Sequence, residues 1–380
     1  MTIAESLLDS IDSKALRVNT DSFDISFGEI SSMYSGGELE IRPAYQRLFR
    51  WTKTQQSQLI ESLLLGLPIP PIFVIETETR KYELIDGLQR ISSYLHFMGD
   101  LKSKRYPDGD KLELRDCEIV PELNGLNVDD LSPGLRIKVK RSYVKMYIIK
   151  KESPPRIKYD MFKRLNTGGS LLEAQEIRNS TIRFLGEDFI KLIQDLSKDV
   201  NFVECTKYVT DYQRDRQYDD ELVLRFFTIK NADLRQYRRE NEGDTLAYFM
   251  TKYAEDVSSG DISFDYEKET KVFQKTFLII NKCLGKNAFS KLNNQNIFTK
   301  QFLAFHYEAI SVAMSQLIHL IDIDNTTQLD RLKNQFSSLK KDENFADVTQ
   351  NKDHKATSGG QYLKYLEQRI EIAKNFFSDL

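Results

Sequence analysis

Residues 70–98 read PPIFVIETETRKYELIDGLQRISSYLHFM, and the fold of the N-terminal half turns on them. PPIFVIE (70–76) is a buried strand led in by two prolines. TETRK (77–81) turns the chain, and YELI (82–85) is the paired strand. After Asp86 the residues Ile91, Tyr94, Leu95 and Met98 fall at helical spacing. The joint between strand and helix therefore holds an acid, a glycine, an amide and a guanidinium: Asp86, Gly87, Gln89 and Arg90. Two readings of it compete. In one, Asp86 caps the helix, Gln89 completes the capping arrangement and Gly87 relaxes the turn. In the other, the helix N-terminus offers its N–H groups and positive dipole end to a phosphate. Arg90 then adds a forked donor. A divalent cation bridges Asp86 to the anion that its carboxylate otherwise repels.

Upstream, YQRLFRW (45–51) carries Gln46, Arg47, Arg50 and the single tryptophan, Trp51. Either Phe49 and Trp51 form a packing wedge with solvated arginines, or Arg47 or Arg50 reaches a pocket beside Arg90. Thr52 and Gln55 then make a T-x-x-Q capping box for a helix. Leu59, Ile60, Leu63, Leu64 and Leu67 share one of its faces, and Gly66 and Pro68 end it.

Downstream, RSYVKMYIIK (141–150) alternates like a strand. The overlapping run at 136–145 reads as a basic strand with Arg136, Lys138, Lys140, Arg141 and Lys145. It is a solvated face or a contact for the DNA backbone. LRQYRRE (234–240) is a second basic run with the same two readings. RIKYDMFKRL (156–165) is a helix that stops at Asn166-Thr167-Gly168-Gly169, and Ser170 and Glu173 cap the next one, LLEAQEIRNSTIRFL. This corner is a plain helical hairpin, or Asn166, Thr167 and the glycine amides are donors to a ligand, followed by Glu176, Arg178 and Asn179.

From about residue 186 strand signals nearly vanish. Amphipathic segments follow at 186–198, 217–231, 244–257, 267–284, 298–320, 328–340 and 361–377. The pattern is α+β: a small mixed domain over 20–185, then an all-α helical domain over 186–380. No internal repeat is visible.

Composition narrows the function classes. The 380 residues are 40% apolar, enough for a real core, and the net charge of −3 gives no overall pull toward nucleic acid. Cys117, Cys205 and Cys283 lie far apart with no CxxC spacing, which argues against zinc and for a reduced, cytoplasmic compartment. The N-terminal segment lacks a secretory pattern, and no run of about 18 apolar residues is present to span a membrane. His96, His306, His319 and His354 are the four histidines, and none sits in an HNH pattern. No GxxxxGK[ST] loop occurs, so a nucleotide site here is not of the P-loop type.

RPAYQRLFRW, LIESLLLGLPIPPIFV, YELIDGLQRISSY and FKRLNTGGSLLEAQEIRN, in that order, resemble the N-terminal domain of GmrSD-type restriction enzymes, also called domain of unknown function 262. That domain belongs to the ParB/sulfiredoxin-like superfamily. The resemblance covers about residues 20–185. It implies that Asp86, Gly87, Gln89 and Arg90 stand at an Asp-Gly-Gln-Gln-Arg signature tied to nucleoside triphosphate binding and hydrolysis, with Leu88 in place of its first glutamine. It aligns Arg47 with the arginine of a Tyr-Gln-Arg motif, and Asn166, Thr167 and Gly168 with a second signature. The expectation is a nucleotide-binding regulator, a slow NTPase working with Mg²⁺, in a bacterial DNA-defence system. Asp86, Gln89 and Arg90 are its catalytic candidates, and Asp86 is the metal ligand. Arg47, Arg50, Gly87, Arg90, Asn166, Thr167 and Gly168 hold the nucleotide. A nuclease or effector is then a separate protein. The rival is a DNA-binding module without nucleotide chemistry, using Lys138, Lys140 and Arg141. A third reading is an adaptor whose helical half docks a partner.

Overall fold

A computed structural model describes Leu7, Ile11 and residues 19–41, 49–103, 105–166, 174–237, 245–293, 295–350 and 360–378. The chain divides into two compact units, Met1–Leu172 and Glu173–Leu380. The fold is α+β, as the patterning predicts: one mixed sheet in the first unit and a mostly helical second unit.

In the first unit the elements are β1 (Thr20–Ser26), α1 (Phe27–Gly36), β2 (Leu39–Glu40), α2 (Lys53–Leu65), β3 (Ile72–Glu76), β4 (Tyr82–Asp86), α3 (Leu88–Met98), α4 (Pro133–Arg141), β5 (Tyr143–Ile149) and α5 (Pro155–Asn166). The strands lie in the order β1-β5-β3-β4-β2. β3 and β4 form the expected antiparallel hairpin, while β5 joins β3 in parallel, β2 joins β4 in parallel and β1 runs antiparallel to β5. Val74 pairs with Leu84 but Phe73 pairs with Asp86, so Ile85 is an extra residue. Such a bulge bends the strand and re-aims the side chains beside it. Here it falls next to Asp86.

The capping box of α2 is present: Thr52 Oγ1 accepts from the Gln55 amide at 3.2 Å, and Gln55 Oε1 accepts from the Thr52 amide at 2.9 Å. Gly66 ends the helix in the left-handed region with φ +74°. Ile91–Phe97 of α3 are all buried, so this helix is enclosed on every side.

The basic run is not the strand that its alternation suggests. Ser132 accepts from the Leu135 amide at 3.4 Å, Pro133 takes the first helical position, and the chain is helical to Arg141. Proline at that position is pre-set for a helix, which outweighs a short alternating pattern. Lys138, Lys140 and Arg141 therefore occupy the last turn of α4, and β5 starts only at Tyr143.

The second unit contains α6 (Ala174–Thr181), α7 (Asp188–Leu196), α8 (Val200–Cys205), α9 (Asp211–Arg214), α10 (Tyr218–Asn231), α11 (Leu246–Ser259), α12 (Tyr266–Leu284), α13 (Ala304–Leu317), α14 (Thr326–Leu339), α15 (Glu343–Gln350) and α16 (Gly360–Ser378). Its core is rich in aromatic contacts, such as Phe273 on Phe277 at 4.4 Å between ring centroids. The three cysteines are buried and unbridged. Among the described residues no helix is long and apolar enough to cross a membrane.

Candidate nucleotide-binding site

The strand–helix joint differs from a plain cap. Gly87 is the N-cap of α3, at φ +101° and ψ 8°, and no side chain caps the helix. The reading in which Asp86 caps α3 therefore fails. The carboxylate turns instead to Arg90: Nη2 donates to Asp86 Oδ2 at 2.7 Å and to the Pro71 carbonyl at 3.0 Å. The guanidinium is thus held across the mouth of the helix end. Its Nε has no hydrogen-bond partner among the described residues. The Arg90 side chain is 17% exposed and that of Asp86 31%, so both reach solvent.

Glycine is required at 87 twice over. Its φ lies where a side chain is strained. A Cβ would also stand 2.5 Å from Ile72 Cγ2 and 3.5 Å from Arg90 Nη2. Leu88, where the resemblance implies a glutamine, is buried at 6% exposure in the core.

Gln89 does something that its place in the signature does not reveal. Its Oε1 accepts from the main-chain amides of Arg50 and Trp51, both at 3.1 Å. The same short segment is gripped from its other side. Arg105 Nη1 donates to the Phe49 carbonyl at 2.7 Å, and Gln56 Nε2 donates to the Trp51 carbonyl at 3.0 Å. Gln56 is in turn seated by buried His96, whose Nδ1 lies 2.8 Å from Gln56 Oε1 and whose Nε2 lies 3.0 Å from Asp110 Oδ2. Tyr106 stacks on that imidazole at 4.0 Å. Three side chains thus fix four of the five backbone polar groups from the Phe49 carbonyl to the Trp51 carbonyl. Gln56, Arg105 and Asp110 had no visible motif in the sequence, because each works through a main-chain group or a distant histidine.

Among the sequence candidates, Asp86, Gly87, Gln89, Arg90 and the backbone of Arg50 come together. Arg47, Thr167 and Gly168 lie outside the described residues, as does the Ser170–Glu173 capping box. Asn166 is the last residue of α5. Lys138, Lys140 and Arg141 are exposed on α4. Arg178 and Asn179 belong to the helical unit. Arg178, 2% exposed, donates to Gln175 Oε1 at 2.8 Å, to the Ala247 carbonyl at 3.2 Å and to Glu221 Oε2 at 3.1 Å. Asn179 donates to Asp220 Oδ2 at 2.7 Å. These two side chains anchor α6 within its own unit.

Residues 30–183 match the family model described as GmrSD restriction endonuclease, N-terminal domain. This segment is a GmrSD N-terminal domain. The match likens these residues to a domain of restriction endonucleases. It takes in the whole strand–helix joint and the 49–51 segment, and it ends at Arg183, just past α6 of the second unit. No curated protein and no solved structure matches the chain.

Proposed function

We propose that the GmrSD domain binds a nucleoside triphosphate at the Asp86–Arg90 joint and acts as a nucleotide-dependent regulator, a slow NTPase, of a restriction-like system. One observation carries this reading. The α3 N-terminus has no side-chain cap, yet an arginine is locked in front of it. The first amides of a helix lack intrahelical partners, and together with the dipole they favour an anion. Arg90 supplies the counter-charge. Gly87 lets the backbone approach closely.

Mg²⁺ would enter with the triphosphate. Among the described residues no three His, Cys, Asp or Glu side chains form a metal site. Mg²⁺ on a nucleotide needs only one or two carboxylates beside phosphate and water ligands, and Asp86 is one. The bound ion would neutralise phosphate charge. In this reading Asp86 shares its carboxylate between Arg90 and the metal, Arg90 holds phosphate oxygens, and Gln89 keeps Arg50 beside the joint. Gln89 is therefore a positioning residue, because its acceptor oxygen already serves two backbone amides.

Titration calorimetry of the full chain with a non-hydrolysable triphosphate and Mg²⁺ tests this. Arg90→Ala should weaken binding by about 2–3 kcal/mol, roughly 30- to 150-fold, as expected for lost charge-assisted bonds. Unchanged affinity in that variant sinks the assignment. Phosphate release measured on the wild type and on Asp86→Ala then separates an NTPase from a binder.

A second reading has its own support in the exposed trio Lys138, Lys140 and Arg141, which fits contact with a nucleic-acid backbone. Reversing all three charges should flatten the salt dependence of DNA affinity by about 2.7 in log–log slope. An unaltered slope removes these residues from any DNA contact.

A further inference from the structure

The sheet of the first unit carries a pair of aromatic rings that the triphosphate reading leaves unused. Phe73 of β3 and Tyr147 of β5 are register partners, and their rings stack at 5.0 Å between centroids with 15° between planes. The same transverse row continues on both sides: Ser22 of β1 pairs with Tyr147, and Asp86 of β4 pairs with Phe73. Residues paired across strands share one face of a sheet. The next row on that face, Ile75 and Ile149, is sealed at 4% and 0% exposure. Phe73 and Tyr147 are only half-buried, so the cover ends level with the joint.

Packing of the sheet explains why the two rings touch. It does not explain why both stay open to solvent in the row that ends at Asp86. Neighbouring strands lie about 4.8 Å apart, so Tyr147 stands about 10 Å from Asp86 across the sheet. An extended nucleoside triphosphate with its terminal phosphate at the joint reaches that far with its base. Beyond Tyr147 the row ends in exposed Ser22, whose small side chain leaves room beside the ring. The rings are already seated against each other, so a base stacks on them with little further ordering. Lys145 and Asp24, a neighbouring pair on the same face, stand 3.7 Å apart and give that rim both signs of charge.

We infer that the Phe73–Tyr147 pair is the stacking platform for the base of the bound nucleotide, and that it accepts purines and pyrimidines alike. The inference rests on the triphosphate reading and names what that site selects. Every base has a π-face, so stacking tolerates any of them. The pair offers one polar atom, the Tyr147 hydroxyl, too few to fix the donor and acceptor pattern of a base edge. Purines present more face than pyrimidines and bind more tightly. A polyphosphate without a base forgoes the platform altogether.

The test is calorimetry of the full chain with Mg²⁺ and two kinds of probe. One is the set of non-hydrolysable ATP, GTP, CTP and UTP analogues; the other is inorganic tripolyphosphate, which carries the charge and no base. The analogues should bind at least about fivefold more tightly than tripolyphosphate, and within about tenfold of one another. Tyr147→Leu and, separately, Phe73→Leu should bring the analogues down toward tripolyphosphate and leave tripolyphosphate itself unmoved. Retained tripolyphosphate binding shows that each variant is folded. Tyr147→Phe keeps the ring and should restore the affinity for the analogues. Arg90→Ala should weaken both kinds of probe together. The platform is overturned, with the phosphate site intact, if tripolyphosphate binds as tightly as the analogues, or if both leucine variants bind the analogues as wild type does. A preference of about a hundredfold or more for one base also overturns it, since that needs edge recognition. If neither probe binds the wild type, the phosphate site falls and the platform with it.

Discussion

Replacing Gln89 discriminates between two roles for the amide at the strand–helix joint. Gln89→Ala removes the acceptor shared by the Arg50 and Trp51 amides, each at 3.1 Å. At about 1 kcal/mol net for each bond, the first unit should lose about 2 kcal/mol. That corresponds to a fall of roughly 4–8 °C in its melting temperature. If the whole of that energy serves to hold Arg50 at the joint, triphosphate affinity falls by at most about 30-fold. Gln89→Glu is the informative partner. A carboxylate keeps the acceptor and loses the amide N–H donors. A positioning role predicts near-normal stability and affinity for Gln89→Glu; a role in orienting water through the amide N–H groups predicts that it behaves like Gln89→Ala. Urea denaturation and calorimetry on the three proteins decide. The positioning role is refuted if Gln89→Ala is as stable as wild type, or if Gln89→Glu loses as much as Gln89→Ala.

Three further outcomes are expected. Gly87→Ala should destabilise the first unit by about 2–4 kcal/mol, from a left-handed φ and a 2.5 Å approach to Ile72, and a shift under 1 kcal/mol in urea melts would count against the joint's geometry. Lys340 is buried with its Nζ donating to the carbonyls of Asn287, Ala288 and Ser290 at 3.1, 2.8 and 2.5 Å. Burial pulls its pKa down to about 7, against three acceptors that favour the ammonium. Lys340→Met should cost about 3–5 kcal/mol by orphaning them, and a neutral effect on the urea midpoint would show the cage to be dispensable. Burial also drives the pKa of His306 well below its ordinary 6.5, so the folded form stays neutral while the unfolded chain takes up a proton. Stability should therefore fall as pH drops below 6.5, by up to about 1.4 kcal/mol per unit from this group. His306→Phe should remove that slope between pH 6.5 and 5.5, and a slope that persists in the variant would assign the effect elsewhere.

The hairpin, α2 and α3 were legible because each is written in local signals. Two prolines and a turn bound the strands, Thr52 and Gln55 write a capping box, and helical spacing resumes after Asp86. The long helices of the second unit showed for the same reason, whereas α8, α9 and α15 are too short for a period to emerge. At 136–145 alternation competed with the Ser132-Pro133 start signal, and the start signal prevailed. At the joint the residue types were legible but not their pairing. Asp86 and Gln89 could both serve a cap three residues apart. They face Arg90 and the 49–51 backbone instead, since a bulge at Ile85 and a segment some forty positions upstream decide where they point. No local pattern carries that information.

The position of α6 bears on how such proteins can be recombined. By family membership it closes the GmrSD domain, yet by packing it is a founding member of the helical half, where Arg178 shares Glu221 with Arg225. A chimera joined after residue 183 would leave the helical half one helix short and Glu221 short of one arginine. The seam that keeps both halves chemically whole runs between Leu172 and Glu173.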